Sequence, residues 1–237
     1  VMARRRAKSS DLTKNSEETL LWAGLATSGV VSLVVIASLA LAPIVSIGPD
    51  EGNRAPDFVA DAYNGGAWYE FRMSDIWDWD WDGNSSESKW ILIQFIDTDC
   101  PYCWEEGDEM SQYHSQWKDR VTFVTVNVHL NIPNHDSSKS EIEAFRDRTS
   151  FGTDDNDGDG CNSGRDNCLN RPGTPHQWTY VDDPSNSIFS QWELSGTPFT
   201  AILQPDGIVA WNKLKHQGQG GDGEEMSSAL QRLVGDS

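Results

Sequence analysis

Cations are scarce in this sequence: 18 Lys and Arg stand against 37 Asp and Glu in 237 residues, a formal net charge of -19. Binding a phosphate backbone needs clustered Lys and Arg, so nucleic acid is excluded as a partner. The first 48 residues hold five basic and three acidic side chains, leaving 13 against 34, or -21, for the remainder. Such a surface keeps a domain soluble and suits cations, and most of these charges are read as a solvated face. Cysteine is rare too, four residues in two close pairs, Cys100/Cys103 and Cys161/Cys168. A zinc site at the first pair would need two more ligands, and the second pair, with six residues between its members in an acidic loop, is not a zinc knuckle. His114, His129, His135, His176 and His216 share no metal-ligand spacing, and each is expected on the surface or in a loop.

Charge is missing altogether from Leu20 to Ile47. That run exceeds the roughly 20 apolar residues that span a bilayer and predicts one transmembrane helix over 20–47. Arg4, Arg5, Arg6 and Lys8 precede it and Asp50 and Glu51 follow it, so the positive-inside bias places a tail, 1–19, in the cytoplasm and the rest outside. A cleaved signal peptide is the competing reading, because Ala40-Leu41-Ala42 resembles a cleavage site. The apolar run is long for a signal peptide and Pro43 would follow the cut; the topology is the same either way. A Gly/Pro-containing linker over 48–54 leads into one domain over 55–237.

Within that domain, Trp68 to Phe71, Lys89 to Ile96 and Val121 to Val128 read as strands, and Trp104 to Trp117 and Ser138 to Arg148 as helices, with Ser138 as N-cap. From Thr149 to Gln177 the composition turns to Asp, Asn, Gly and Pro, which reads as an insertion without a core of its own. Beyond it come a strand at Trp178 to Val181, a helix at Asn186 to Leu194, and a hairpin of Phe199 to Leu203 with Ile208 to Trp211. A last helix runs from Glu224 to Val234. Crossovers followed by a hairpin predict an α/β domain, a mixed sheet flanked by helices.

A strand thus leads into Cys100-Pro101-Tyr102-Cys103 at a helix start. Disulfide exchange needs one thiolate to attack and a second thiol near enough to release the mixed disulfide. The helix N-terminus lowers the pKa of Cys100, and Cys103, one turn inside, is placed to resolve. Two acids, Asp97 and Asp99, stand just before the pair and are expected to oppose thiolate formation at Cys100.

These residues resemble the thioredoxin superfamily, most closely its TlpA/ResA-like membrane-anchored branch. The likeness rests on Arg54-Ala55-Pro56-Asp57-Phe58, Met73-Ser74-Asp75-Ile76, Ile91 to Cys103, and Ser195-Gly196-Thr197-Pro198 with the Phe199 to Gly207 run that follows. The resemblance implies a thioredoxin-like fold and a membrane-anchored, extracytoplasmic thiol-disulfide oxidoreductase. It would act on protein thiols or disulfides, with a membrane electron donor or acceptor and no catalytic cofactor. It also implies that Pro198 is cis beside the cysteines and that the Thr197 backbone pairs with the client chain, whereas Thr174-Pro175 is read as loop. The branch often carries a glutamate where Glu106 stands, and a partly buried carboxylate there could move the proton of Cys103. Asp99 stands where thioredoxins place a tryptophan and Gln94 where cytosolic ones bury an aspartate, which leaves redox direction open.

Asp155, Asp157 and Asp159 alternate before Gly160, and Asp166 falls at the twelfth position, the spacing of a calcium loop in which the Cys161 carbonyl would also be a ligand. Cys161 and Cys168 are expected to form a structural disulfide in an oxidising compartment. Asp78, Asp80 and Asp82 begin a second such ladder that Lys89 fails to close, and local packing is the expected role of that segment. The other readings are a thioredoxin-fold copper carrier, whose cysteines are spaced one residue wider, a calcium-stabilised interaction domain, and a peroxiredoxin. The last shares the Ala55-Pro56-Asp57-Phe58 opening, but Phe95 to Asp99 lacks the proline it needs.

Overall fold

Seven strands make one mixed sheet: β1 (Val59–Tyr63), β2 (Trp68–Arg72), β3 (Trp90–Ile96), β4 (Val121–Val128), β5 (Thr179–Asp183), β6 (Phe199–Leu203) and β7 (Val209–Asn212). The helices are α1 (Pro101–Glu105), α2 (Gly107–Trp117), α3 (Lys139–Asp147), α4 (Ser187–Gln191), α5 (Lys213–Gln217) and α6 (Met226–Leu230), the last continued by a wider turn over Gln231–Gly235. The computed structural model describes residues 45–83, 87–133, 135, 137–152 and 160–235. The expected tail and all but the last three residues of the expected anchor lie outside them. No helix among the described residues is long and apolar enough to cross a membrane.

The strand order is β2-β1-β5-β4-β3-β6-β7. The β3, β4 and β5 strands run parallel at the centre, while β1 and β6 pair antiparallel with their inner neighbours. Parallel strands are covered on both faces, which is why Trp-Ile-Leu-Ile-Gln-Phe-Ile in β3 shows almost no polar alternation. Its odd residues, Ile91, Ile93 and Phe95, join one apolar layer with Met73, Trp192 and Phe199. The even residues Leu92 and Ile96 join the other with Trp104, Phe145, Tyr180 and both cysteine pairs. Gln94 shares the face of Leu92 and Ile96 and is the only polar side chain of β3.

Ser138 caps α3, its side chain accepting from the Glu141 N–H, as expected. One expected helix is broken. Chain segment 104–117 is divided at Glu106 between α1 and α2, and the cause is visible at Gly107. The guanidinium of Arg171 crowds it so closely that a Cβ there would lie 2.5 Å from the Arg171 Nη1. The Gly107 carbonyl accepts from Ser111 Oγ and from the ring of His176.

The insertion, expected to have no core of its own, packs into that of the domain: Cys161 and Cys168 are fully buried in the layer that holds Cys100 and Cys103, with Phe151 packed against it. Arg171 is fully buried, and its Nε, Nη1 and Nη2 donate to the carbonyls of Phe145, Pro172 and Thr174. His176, expected on the surface or in a loop, lies in a loop but is buried. It stacks on Trp178 at 4.0 Å between ring centroids, with Nδ1 2.6 Å from the Tyr180 hydroxyl. Burial, reinforced by the Arg171 charge, holds its pKa well below the usual value, so the ring is neutral.

The segment Asp78 to Gly83 is not a strand. Asp78 accepts from its own turn and from Ser88, Trp79 packs on Trp77 and lies under the Arg54 guanidinium, and Trp81 meets Trp90. Local packing is its role, as expected.

Candidate active site

At the C-terminal end of β3 the chain passes through Asp97-Thr98-Asp99, all fully buried, and delivers Cys100 to the N-cap of α1 with Pro101 in the first turn. Proline suits that position because it has no N–H to leave unpaired. Cys100 is 5% exposed and Cys103 2%, while Tyr102 between them is 69% exposed. Both thiols are free. The Thr197-Pro198 bond is cis, as the family resemblance implied, and the Cys100 Sγ lies 3.8 Å from the Thr197 carbonyl oxygen. The hydroxyl of Thr197 is buried with no hydrogen-bond partner among the described residues, which leaves it available to donate to a thiolate. Thr174-Pro175 has no such bond.

The two sulfurs are electrostatically unlike. Donation from the Cys103 thiol lowers the Cys100 pKa to about 6 against the opposing effect of burial, helped by Thr197 and by the backbone N–H groups of Cys103 and Tyr102. Burial, followed by the neighbouring Cys100, pushes Cys103 well up. One thiol is thus poised to ionise and the other held protonated, one helical turn apart.

The carboxylates of Asp97 and Asp99, expected to oppose a thiolate at Cys100, are both engaged by other donors. The Asp97 carboxylate accepts from the N–H groups of Asp99 and Leu130 and from His135 Nδ1 at 3.0 Å. Asp99 Oδ1 accepts from the Gly164 N–H at 3.2 Å.

Glu106 is partly buried, and both its oxygens are occupied. Oε1 accepts from Lys213 Nζ at 2.7 Å and Oε2 from Gln94 Nε2 at 3.1 Å. A small cavity of about 90 Å³ opens beside it, lined by Glu106, Tyr113, Thr200, Trp211 and Lys213. Lys213, at the start of α5, had no motif to mark it; only the antiparallel return of β7 brings it here.

Cys161 and Cys168 are joined in a disulfide, as expected. Of the expected calcium ligands, Asp155, Asp157 and Asp159 lie outside the described residues. The Cys161 carbonyl accepts from the Arg165 and Asp166 N–H groups, and the Asp166 carboxylate accepts from the Asn162 amide. Among the described residues no group of three or more His, Cys, Asp or Glu is arranged to hold a metal ion.

No family model and no curated protein matches the chain. Solved structures do. A 2-Cys peroxiredoxin from Plasmodium vivax in its reduced state is 17% identical, with 77% of this chain and 79% of that one covered at a TM-score of 0.51. An uncharacterised protein from Geobacillus kaustophilus is 16% identical over 78% and 79% at 0.50. The thioredoxin domain of a thiol-disulfide oxidoreductase from Bacteroides vulgatus is 13% identical over 78% and 98% at 0.48. The domain has the thioredoxin-like fold of the redoxins.

Proposed function

We propose that this protein is a thiol-disulfide oxidoreductase that exchanges disulfides with protein substrates through Cys100 and Cys103. The observation that carries the reading is the division of labour between the two sulfurs, Cys100 lowered to about 6 at the start of α1 and Cys103 buried and raised. In the reducing direction the Cys100 thiolate attacks one sulfur of a client disulfide. The Cys100–client bond forms, the client S–S bond breaks, and the departing client thiolate takes a proton. Cys103 then gives up its proton and attacks the Cys100 sulfur, which releases the second client thiol and leaves a Cys100–Cys103 disulfide. The client gains two electrons and the pair loses two. A dithiol partner restores the pair, and the oxidising direction is the same sequence reversed. Glu106, held by Lys213 and Gln94, is the group we assign to the Cys103 proton.

The Cys161–Cys168 bond supports an oxidising compartment. Together with the uncharged run over 20–47, it favours a domain held outside a membrane by one N-terminal helix. The peroxiredoxin likeness is one of fold. Against that chemistry stand a second cysteine one turn from the first and the lack of a proline over Phe95 to Asp99.

The test uses the full chain in detergent. Cys103→Ser should trap a disulfide-bearing peptide as a stable mixed disulfide on Cys100, read by mass spectrometry, whereas Cys100→Ser should trap none. No adduct, together with no exchange of the native pair in glutathione buffers, would sink the proposal. Copper or zinc retained by the pair would favour the carrier reading.

A further inference from the structure

The middle of the insertion docks on the residues that precede Cys100. Asn162 N–H donates to the Thr98 carbonyl at 3.2 Å, Ser163 Oγ donates to the Asp99 carbonyl at 2.9 Å, and Gly164 N–H donates to Asp99 Oδ1 at 3.2 Å. Three consecutive residues thus grip the two that precede Cys100. Asn162 and Ser163 hold φ values of 59° and 60°. That left-handed region is unfavourable for residues other than glycine, so the turn needs restraint from its surroundings. The restraint on one side is these three bonds. On the other it is the disulfide from Cys161 to Cys168, whose two halves are fully buried in the layer containing Cys100, Cys103 and Trp104.

The grip bears on chemistry as well as on shape. Asp99 is a fully buried carboxylate adjacent in sequence to the attacking sulfur, and an unscreened negative charge there disfavours a thiolate. Gly164 supplies its carboxylate with a backbone donor, and Ser163 fixes its carbonyl. The backbone from Asp99 into α1 determines where the Cys103 and Tyr102 N–H groups point.

We propose that the turn Cys161–Gly164, closed by the Cys161–Cys168 disulfide, is a positioning clamp on the nucleophile, and that Ser163 and Gly164 help set the reduction potential of the Cys100–Cys103 pair. The proposal rests on the oxidoreductase reading. Loosening the clamp exposes the Cys100 thiolate to a less compensated Asp99 and so destabilises the reduced form. The pair then becomes harder to reduce.

The test is made on the full chain with Ser163→Ala, Ser163→Gly and the double variant Cys161→Ala/Cys168→Ala. Two quantities are read: the equilibrium of the Cys100–Cys103 pair with glutathione, and the iodoacetamide alkylation rate of Cys100 at pH 7. The double variant should shift the equilibrium toward the disulfide at least tenfold, about 30 mV lower in potential, and slow alkylation. Ser163→Ala should shift both in the same direction by roughly threefold, about 14 mV by the same conversion, and Ser163→Gly, which also lacks the hydroxyl but suits the left-handed backbone, should shift them alike. Where the double variant does not fold, the two Ser163 variants decide. Values within 1.5-fold of the native protein for a folded Ser163→Ala would overturn the clamp. A pair that exchanges with no glutathione buffer sinks the oxidoreductase reading instead, and the alkylation rates still decide whether the turn acts on Cys100.

Discussion

Cys100 and Cys103 are separated by two residues, but surroundings rather than side-chain chemistry distinguish them. With the Cys100 value near 6, alkylation of the reduced protein should rise through a midpoint near pH 6, while Cys103 stays unreactive to well above pH 9. A single midpoint near 8.5, the ordinary cysteine value, would show that the donors around Cys100 do not act on it. The same asymmetry makes a stability statement. A folded pKa near 6 against about 8.5 unfolded stabilises the reduced fold fully above about pH 8.5. That contribution is lost as pH falls through 6. Denaturation of the reduced protein beside Cys100→Ser should therefore show a gap that closes between pH 8.5 and 6. Glu106→Gln removes a proton acceptor but leaves the Cys100 donors in place. It should slow release of the mixed disulfide by roughly tenfold to a hundredfold in stopped-flow exchange and leave the Cys100 alkylation midpoint where it was.

Between elements, the break at Glu106 records a contact between parts of the chain far apart in sequence. Gly107 yields space to Arg171, so Gly107→Ala should cost about 1–3 kcal/mol in chemical denaturation through overpacking. An unchanged midpoint would mean that the guanidinium simply moves aside. No window of sequence around Gly107 contains this, which is why the segment read as one helix. The elements that were legible had local signals. The β3 and β4 strands are unbroken apolar and β-branched runs, Pro205-Asp206-Gly207 marks its hairpin, and Ser138 announces α3. Missed elements lacked such signals: β1, Val-Ala-Asp-Ala-Tyr, has weak strand formers and is held by pairing on both sides, with β2 and β5. The cysteine pair and cis-proline were legible because their chemistry is tied to a short motif. Neither the Ser163 bond to Asp99 nor the Lys213 bond to Glu106 could be read, since both cross more than 60 residues of chain.

On the scale of the whole molecule, the insertion is part of the architecture that supports the site. Arg171→Ala would leave the Phe145, Pro172 and Thr174 carbonyls without their donor and open a cavity behind α2. About 3 kcal/mol of stability should be lost by urea denaturation, and a loss below 0.5 kcal/mol would show the guanidinium to be dispensable. The acidic ladder at 155–159 enters Gly160 directly before the clamp. As a calcium ligand set it should raise the melting temperature of the full chain at about 1 mM Ca²⁺, an increment that Asp157→Asn removes. Equal melting curves with and without the ion would leave it a solvated loop. The depth of Cys100 carries a last consequence. A cysteine that is 5% exposed, with Tyr102 standing out beside it, cannot reach into a disulfide lodged in another protein's interior. Under the proposed function the client must come to the enzyme, offering its cysteine on an extended, solvent-reachable strand. Selection then depends on how often a client loosens rather than on what its sequence spells, which would direct the activity toward chains still folding and spare those already finished.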